Sequence, residues 1–197
     1  CFFLRLIICV YICIHIIIFQ FMPSSHDFKK DKRNNSIKIN INGKFFPRKK
    51  AKISVFDSGF ILGDGCWDSI RLHNNKLLFL KEHLKRLYED ARTIDINIPK
   101  TKNELTKMIY QTVKKNNMLT DVHIRVIISR GIKSTPYQDP FFTISLPTIV
   151  IIPEFKKPDE KLYSKGLKLK TVSIMRGHKN VLDPKINSLS KLNCILA

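Results

Sequence analysis

The residues with the clearest chemical potential lie in and after a glycine-punctuated stretch, residues 54–87. It reads SVFDSGFILGDGCWDSIRLHNNKLLFLKEHLKRL and places Arg71 at the end of a short apolar strand. An arginine fork matches two phosphate or carboxylate oxygens at once, so Arg71 suits a phosphate. Arg130 ends another predicted strand before a loop and suits a substrate carboxylate. The ordinary alternatives are a strand arginine paired with Asp68 and a surface arginine at a strand end.

Hydrophobic periodicity and turn residues predict the elements that must position these arginines. Residues 36–44 alternate apolar and polar up to an Asn-Gly pair, which predicts a strand and a tight hairpin turn. Further strands are predicted at 51–56, 66–72, 77–80, 122–129, 148–152 and 166–174. Helices are predicted at 80–91, from a capping box at Thr101, and at 188–197. The sum is an α+β fold with a mainly antiparallel sheet and helices on one side.

The chain carries a large basic excess, with 35 Lys and Arg against 16 Asp and Glu and a formal net charge of +19. Such an excess often accompanies binding to nucleic acid or to an anionic membrane. Here the lysines are spread along the whole chain, so we interpret them as a solvated surface and expect no nucleic-acid partner. The alternative from another functional class is a membrane-anchored basic protein that binds nucleic acid or anionic lipid.

The cysteines and the apolar leader bear on where the protein resides. No CxxC or Cys/His pair has metal-ligand spacing, and the odd count of 5 cysteines argues against a disulfide framework. We therefore expect no metal site and a reducing, cytoplasmic compartment. Residues 1–21 are apolar, and about 20 apolar residues can span a bilayer, so the alternative is a membrane anchor. If Met22 is the true start, the leader is not part of the protein, and the polar residues 22–35 are a linker.

The motifs FDSGF, LGDG, WDSIR and HLKRL together resemble the N-terminal signature of the class IV, fold-type IV pyridoxal-phosphate enzymes. That family contains the branched-chain and D-amino-acid aminotransferases and aminodeoxychorismate lyase. The resemblance covers residues 36–197. It implies a small N-terminal aminotransferase domain at 36–155, then an interdomain segment and the beginning of a C-terminally truncated cofactor domain at 156–197.

The resemblance implies pyridoxal 5'-phosphate as the cofactor, with Arg71 at its phosphate and Arg130 and Arg176 as substrate-binding residues. The family's covalent lysine falls, in strict register, on Asn187, whose amide cannot bond to the cofactor's aldehyde. We predict that Lys191 supplies the amine and is also the catalytic residue, because residues i and i+4 of a helix share a face.

Two alternatives to Lys191 stay open. Lys185 lies two residues before Asn187 and shares its face if the segment is extended. The other alternative is a family member that keeps the scaffold without a covalent lysine and has lost catalysis.

The reaction implied by the resemblance is transamination between an amino acid and a 2-oxo acid, with branched-chain amino acids as the first choice. A D-amino-acid aminotransferase and aminodeoxychorismate lyase are the alternatives within the family. The resemblance also implies a homodimer for the full-length form. It further implies that the acid facing the pyridine nitrogen comes from sequence beyond Ala197, so we expect the fragment itself to be inactive.

Overall fold

The computed structural model describes residues 30–157, 164, 166 and 169–197, and the predicted leader at 1–21 lies outside them. The chain divides into two compact units. The unit described below comprises Asp31–Pro158 and Lys170–Ala197. The other comprises Cys1–Lys30 and Asp159–Leu169 and contains four described residues, Lys30, Ser164, Gly166 and Leu169.

An antiparallel sheet of six strands lies at the centre of this unit. The strands are β1 (Lys38–Ile41), β2 (Lys44–Pro47), β3 (Gly65–His73), β4 (Lys76–Leu77), β5 (Val122–Ser129) and β6 (Thr148–Phe155). Their order is β2-β1-β6-β5-β3-β4, and every neighbouring pair is antiparallel. The predicted strands at 66–72, 122–129 and 148–152 are confirmed as β3, β5 and β6.

Asparagine-rich turns close the two short hairpins. Asn42 and Gly43 join β1 to β2 with φ angles of 52° and 85°. Asn74 and Asn75 join β3 to β4 with φ angles of 46° and 61°. Two consecutive residues with positive φ match the right-handed twist of a two-residue hairpin, and asparagine and glycine tolerate that conformation best. The predicted Asn-Gly turn is confirmed.

The α-helices among the described residues of this unit are α1 (Ser58–Leu62), α2 (Leu80–Thr93), α3 (Lys102–Lys115) and α4 (Leu192–Leu196). The predicted capping box at Thr101 is present, because its hydroxyl accepts from the Glu104 N–H while the Glu104 carboxylate accepts from the Thr101 N–H. α2 packs against β3, and α3 packs against β1 and β6. Both long helices therefore cover the same face of the sheet, and the predicted α+β architecture is confirmed.

Strand alternation separates the sheet into two faces. The face beneath α2 and α3, called the helix face, carries buried apolar side chains, among them Ile70, Leu72, Val122, Ile124, Val126, Ile128, Ile149 and Ile151. The side chains that alternate with these are half-buried or exposed: Trp67, Ser69 and Arg71 of β3, and His123, Arg125 and Ile127 of β5. They point to the opposite face, called the far face, because successive strand residues alternate in direction.

Two of the predicted strands are wrong, and a third, at 77–80, is confirmed only at Leu77, because β4 ends there and α2 begins at Leu80. Residues 51–56 are irregular, because Asp57 instead caps the short helix α1, its carboxylate accepting from the Gly59 N–H at 2.9 Å. Residues 169–174, the described continuous part of the predicted strand at 166–174, contain no strand. The predicted C-terminal helix begins later than expected, at Leu192.

The last residues of the predicted linker are ordered. Lys32–Asn35 form a 3₁₀ turn, and the Asp31 carboxylate accepts from the Arg33 N–H at its start. The buried Asn34 amide donates to the Phe155 carbonyl at 3.0 Å and accepts from the Phe155 N–H at 2.8 Å. This side chain therefore ties the turn to the end of β6.

Gly65, the first residue of β3, has no room for a side chain. A Cβ there would meet the Ile128 carbonyl and would lie 2.6 Å from Leu189 Cδ1 and 2.9 Å from Ser129 Cα. We expect Gly65→Ala to lower the free energy of unfolding by about 2 kcal/mol, as overpacking of a well-packed site does. Urea denaturation measures this loss. Gly177→Ala is the matched control, because the nearest atom would be 3.9 Å away, and an equal loss in both variants would contradict the prediction.

Candidate cofactor site

The far face of β3 presents Trp67, Ser69 and Arg71 in succession. All three are half-buried, while the residues between them, Asp68 and Ile70, are buried on the helix face. Across the ladder, Arg125 of β5 is the direct partner of Ser69, and directly opposite residues of an antiparallel pair share a face. The side chains of Ser69, Arg71 and Arg125 therefore lie next to one another on one surface.

Asp68 belongs to the helix face and is fully engaged there. Arg86 of α2 donates to its two carboxylate oxygens at 2.9 Å and 2.7 Å, and His83 Nδ1 lies 3.0 Å from Oδ1. The hydrogen bonds to Asp68 raise the pKa of the Arg86 guanidinium. The HLKRL motif thus supplies two side chains that hold the Asp68 carboxylate. The alternative in which Asp68 pairs with Arg71 does not occur.

Arg71 is left with donors for a ligand. Its Nη1 donates to the Lys156 carbonyl at 2.9 Å, which fixes the guanidinium at the end of the strand. In the part of the chain that the structure describes, no carboxylate forms an ion pair with Arg71. A half-buried guanidinium without a counter-ion suits an anion, and a phosphate satisfies its fork geometry.

Residues 187–189 lie along the edge of β3, and they include Asn187, the position at which the family has its lysine. The Trp67 N–H donates to the Asn187 carbonyl at 2.9 Å, and the Leu189 N–H donates to the Gly65 carbonyl at 2.9 Å. Cys66 and Ser188 form the antiparallel bridge between these bonds. Asn187 therefore lies opposite Trp67, on the far-face side of the pairing. Its own N–H donates to Asp90 Oδ2 at 3.1 Å, which ties the segment to α2.

Lys191, four residues after Asn187, also lies near Trp67. Its Nζ lies 5.9 Å from the centroid of the Trp67 ring. The segment is extended through Leu189, and α4 begins at Leu192 with Lys191 at its N-cap position. A turn, and not the shared helix face assumed from sequence, therefore brings this ammonium to the ring opposite Asn187. Lys185 is exposed, and its N–H donates to Asp183.

Arg125 is a candidate that the sequence analysis missed. Its guanidinium carbon lies 4.4 Å from the centroid of the Trp67 ring, and its side chain is exposed. The Trp67 ring therefore has a cation–π contact with Arg125 and a longer one with Lys191. The sequence signal was available in the strand pattern, because alternation in 122–129 places Arg125 on the face opposite the buried Val122, Ile124, Val126 and Ile128.

Arg130 lies on the other side of the sheet. It donates to both carboxylate oxygens of Asp64 at 2.7 Å and 3.0 Å, and to the carbonyls of Ile94 and Asp95 at 2.7 Å and 2.9 Å. These four bonds join the turn before β3 to the end of α2. Arg176 is exposed and donates to the Pro184 carbonyl at 2.8 Å. The structure thus brings Arg71 and Lys191 to one face, without Arg130; the substrate-binding roles of Arg130 and Arg176 stay predictions.

The groups on the far face fit a phosphorylated cofactor that bonds to an amine. Arg71 has free guanidinium donors for a phosphate, and Lys191 places a primary amine beside the aromatic ring of Trp67. The Ser69 hydroxyl between them is buried without a hydrogen-bond partner. The chemistry of this donor set agrees with pyridoxal 5'-phosphate, which has an anionic end and an aldehyde.

Comparison with known proteins decides the family. The sequence profile described as "Amino-transferase class IV" matches residues 65–197, more than half of the chain. The chain belongs to the class IV aminotransferases. The matched range of this class IV aminotransferase includes β3, which carries Arg71, and residues 187–191, of which the first three pair with the edge of β3 and the last is Lys191.

Relatives of this class IV aminotransferase include enzymes named for two kinds of substrate. A Methanocaldococcus jannaschii protein, provisionally named a branched-chain-amino-acid aminotransferase, is 40% identical over 161 residues, 82% of this chain and 54% of that protein. A D-alanine aminotransferase of Listeria monocytogenes is 33% identical over 98 residues, 50% of this chain and 34% of the relative.

A solved structure gives the same assignment. The branched-chain amino acid aminotransferase of the organism abbreviated T.th., solved with pyridoxamine 5'-phosphate, has a TM-score of 0.72 and 27% identity, covering 82% of this chain and 54% of its own. This class IV aminotransferase chain therefore spans about half the length of that structure and of the Methanocaldococcus jannaschii relative.

Asp90, which holds Asn187, makes stability depend on pH. Burial raises the pKa of its carboxyl above the ordinary value, against the lowering effect of the Asn187 N–H. A raised pKa in the fold favours the protonated form, so this contribution is complete in acid and is lost as the pH rises through the folded pKa. We expect Asp90→Asn, which keeps an acceptor and cannot ionise, to have a higher urea midpoint than the unmodified chain at neutral pH.

The difference between the two midpoints should shrink as the pH falls towards about 4, near the ordinary pKa of aspartate. Asp95→Asn is the control, because this side chain is exposed. A variant less stable than the unmodified chain at neutral pH, with no change of that gap in acid, would falsify the prediction.

Proposed function

We propose that this chain is the N-terminal part of a pyridoxal-phosphate-dependent aminotransferase, which transfers an amino group between an amino acid and a 2-oxo acid. The observation that carries the proposal is the placement of Arg71 and Lys191 on the far face of β3. Trp67 and Arg71 are four residues apart, so their Cα atoms are separated by about 13 Å along the strand. That span accommodates a cofactor held by its phosphate at one end and by an amine at the other.

The bound cofactor supplies the electron sink that stabilises negative charge at the substrate's α-carbon. In this proposal Arg71 binds the phosphate, and Lys191 is the covalent lysine and moves the proton at the α-carbon. The Trp67 ring bounds the space between them. A desolvated lysine is the better nucleophile, and contact with the ring removes water from one side of the Lys191 ammonium.

Three arginines are candidates for binding the substrate's carboxylate. Arg125 is exposed on the far face beside Trp67, and this supports it as the first choice. Arg130 is engaged by Asp64 and two carbonyls, so carboxylate binding there requires that ion pair to open. Arg176 is exposed in the segment before Asn187 and remains the second choice.

Branched-chain amino acids are the substrates that the comparisons favour. The Methanocaldococcus jannaschii relative and the T.th. structure are both named for branched-chain amino acids. D-amino acids are the second choice, supported by the D-alanine aminotransferase of Listeria monocytogenes at lower coverage. Aminodeoxychorismate lyase chemistry is the third choice, and it rests on the sequence resemblance alone.

A labelling experiment tests the assignment of Lys191. We expect pyridoxal phosphate followed by borohydride, which makes the lysine–cofactor bond permanent, to label Lys191 above the other lysines in a peptide map. Arg71→Ala should reduce that label about tenfold, since a charge-assisted hydrogen bond is worth roughly 1.5–3 kcal/mol, and should leave surface lysines unchanged. Pyridoxamine phosphate should protect Lys191 selectively by occupying the site.

Two variants make this result decisive. Lys191→Arg keeps the positive charge and should remove the label, because a guanidinium does not bond to an aldehyde under these conditions. Asn187→Lys in that background should regain it, since residue 187 lies opposite Trp67. Preferential labelling of Lys185, or even labelling of all lysines with no effect of Arg71→Ala, would refute the assignment.

The proposal includes a homodimer, and one surface supports it. Exposed apolar side chains of two neighbouring loops, residues 53–60 and 134–147, form this surface, called the apolar loop surface; they include Val55, Phe56, Phe60, Tyr137, Phe141, Ile144 and Leu146. The loops adjoin because Ser58 N–H donates to the Gly131 carbonyl and Lys133 N–H donates to the Phe56 carbonyl, at 2.8 Å and 2.9 Å. Neither loop contains a Lys or Arg, although the chain has 35.

Phe141→Glu tests the dimer because this ring is 86% exposed at the centre of the second loop. We expect the unmodified chain to sediment at twice its 23.0 kDa mass and the variant at the monomer mass, since a buried charge opposes association. Leu119→Glu is the control, because Leu119 is exposed outside the apolar loop surface. A monomeric unmodified chain would contradict the proposed dimer for this part of the protein.

The cytoplasm is the compartment we propose for the folded unit. Cys66 and Cys194 are free thiols, and free thiols fit a reducing compartment. No helix among the described residues is long and apolar enough to cross a membrane.

A further inference from the structure

Ser69 has an unsatisfied hydroxyl in the middle of the candidate site. Its Oγ is buried and has no hydrogen-bond partner, one of two such side-chain atoms in the described residues; the other is Thr143 Oγ1. Its backbone N–H, by contrast, donates to Asp68 Oδ1 at 2.6 Å. Buried hydroxyls are nearly always paired, because an unpaired one loses its bonds to water without replacement. An orphaned hydroxyl at a binding face therefore calls for a partner.

The strand geometry indicates which ligand group this hydroxyl meets. Ser69 and Arg71 share the far face, and their Cα atoms are about 7 Å apart. The long arginine stem and the short serine side chain can converge on one tetrahedral anion, because arginine reaches across the distance that serine cannot. Packing within the strand does not require a hydroxyl at this position, because alanine or glycine would fit there as well.

We propose that Ser69 is a second ligand of the cofactor phosphate, its hydroxyl donating a hydrogen bond to a phosphate oxygen that Arg71 also binds. This inference rests on the proposed function, because it requires the phosphate at Arg71. Rotation about a single side-chain bond lets the hydroxyl turn towards the phosphate, and rotation between staggered positions is inexpensive for serine. The hydroxyl, which has no protein partner in the chain, would thus gain one in the complex.

The fluorescence of Trp67, the single tryptophan of the chain, reports occupancy of the site directly. Pyridoxamine 5'-phosphate is the probe, because it has no aldehyde and does not react with surface lysines. We expect Ser69→Ala to weaken its binding about tenfold, the effect of losing one charge-assisted hydrogen bond. Binding of pyridoxamine, which lacks the phosphate, should be the same in Ser69→Ala and in the unmodified chain.

Two further variants separate a ligand contact from a structural role. Ser69→Thr keeps a hydroxyl on a strand and should retain most of the affinity for pyridoxamine 5'-phosphate. Ser36→Ala removes an exposed hydroxyl that is bonded to Arg33, and it should change neither titration. The urea midpoint of Ser69→Ala without ligand should equal or exceed that of the unmodified chain, because the variant removes an unsatisfied polar atom.

The outcomes distinguish this inference from the proposed function. If Arg71→Ala weakens pyridoxamine 5'-phosphate binding and Ser69→Ala does not, Ser69 is not a phosphate ligand and the site stands. Equal weakening of both probes by Ser69→Ala, or a lower urea midpoint, would assign Ser69 a structural role and overturn the inference. If Arg71→Ala has no effect, or neither probe changes Trp67 fluorescence, the cofactor site itself is refuted.

Discussion

The alternation of strand β3 is the constraint on which the rest of this structure depends. Its even-numbered residues enter the core, where Arg86 and His83 hold Asp68, and its odd-numbered residues Trp67, Ser69 and Arg71 lie on the opposite face. A slip of one residue would bury Arg71 and expose Ile70, and burial of an unpaired guanidinium is far too costly to occur. The ion pair with Asp68 therefore does more than join a helix to a strand. It fixes the register that keeps Trp67, Ser69 and Arg71 on one surface.

Much of the fold could be predicted because local signals decide it. The Asn42-Gly43 turn, the Thr101 capping box and the continuous apolar strands each depend on a few neighbouring residues, and each was confirmed. Family motifs added Arg71 as a phosphate candidate, and its lack of a counter-ion among described residues agrees with that role. The strand predicted at 51–56 was wrong because apolar residues at a surface resemble strand residues in sequence. In the structure, Asp57 instead caps the helix that follows.

The remaining features of the site depend on contacts between distant segments. Arg130 has the sequence environment of a carboxylate ligand, yet Asp64, 66 residues earlier, accepts both of its fork donors. Lys191 reaches Trp67 through a turn that follows the pairing of Asn187 with β3, and nothing within the segment itself encodes that pairing. Arg125 was overlooked because its importance comes from the ring it covers. Sequence patterns identify side chains with suitable chemistry, and tertiary partners decide which of them are free to use it.

Because β4 is short, part of the edge of β3 is uncovered while the chain is being synthesised. β4 has two residues and pairs only with the end of β3, so the first part of that strand depends on residues 187–189 to cover its edge. Until those residues emerge during synthesis, the N–H of Trp67 and the carbonyl of Gly65 offer an open template to any extended peptide. The segment that contains Lys191 thus also covers the open edge of β3, and a chain that ended before residue 187 would leave that edge exposed to pairing with other peptides.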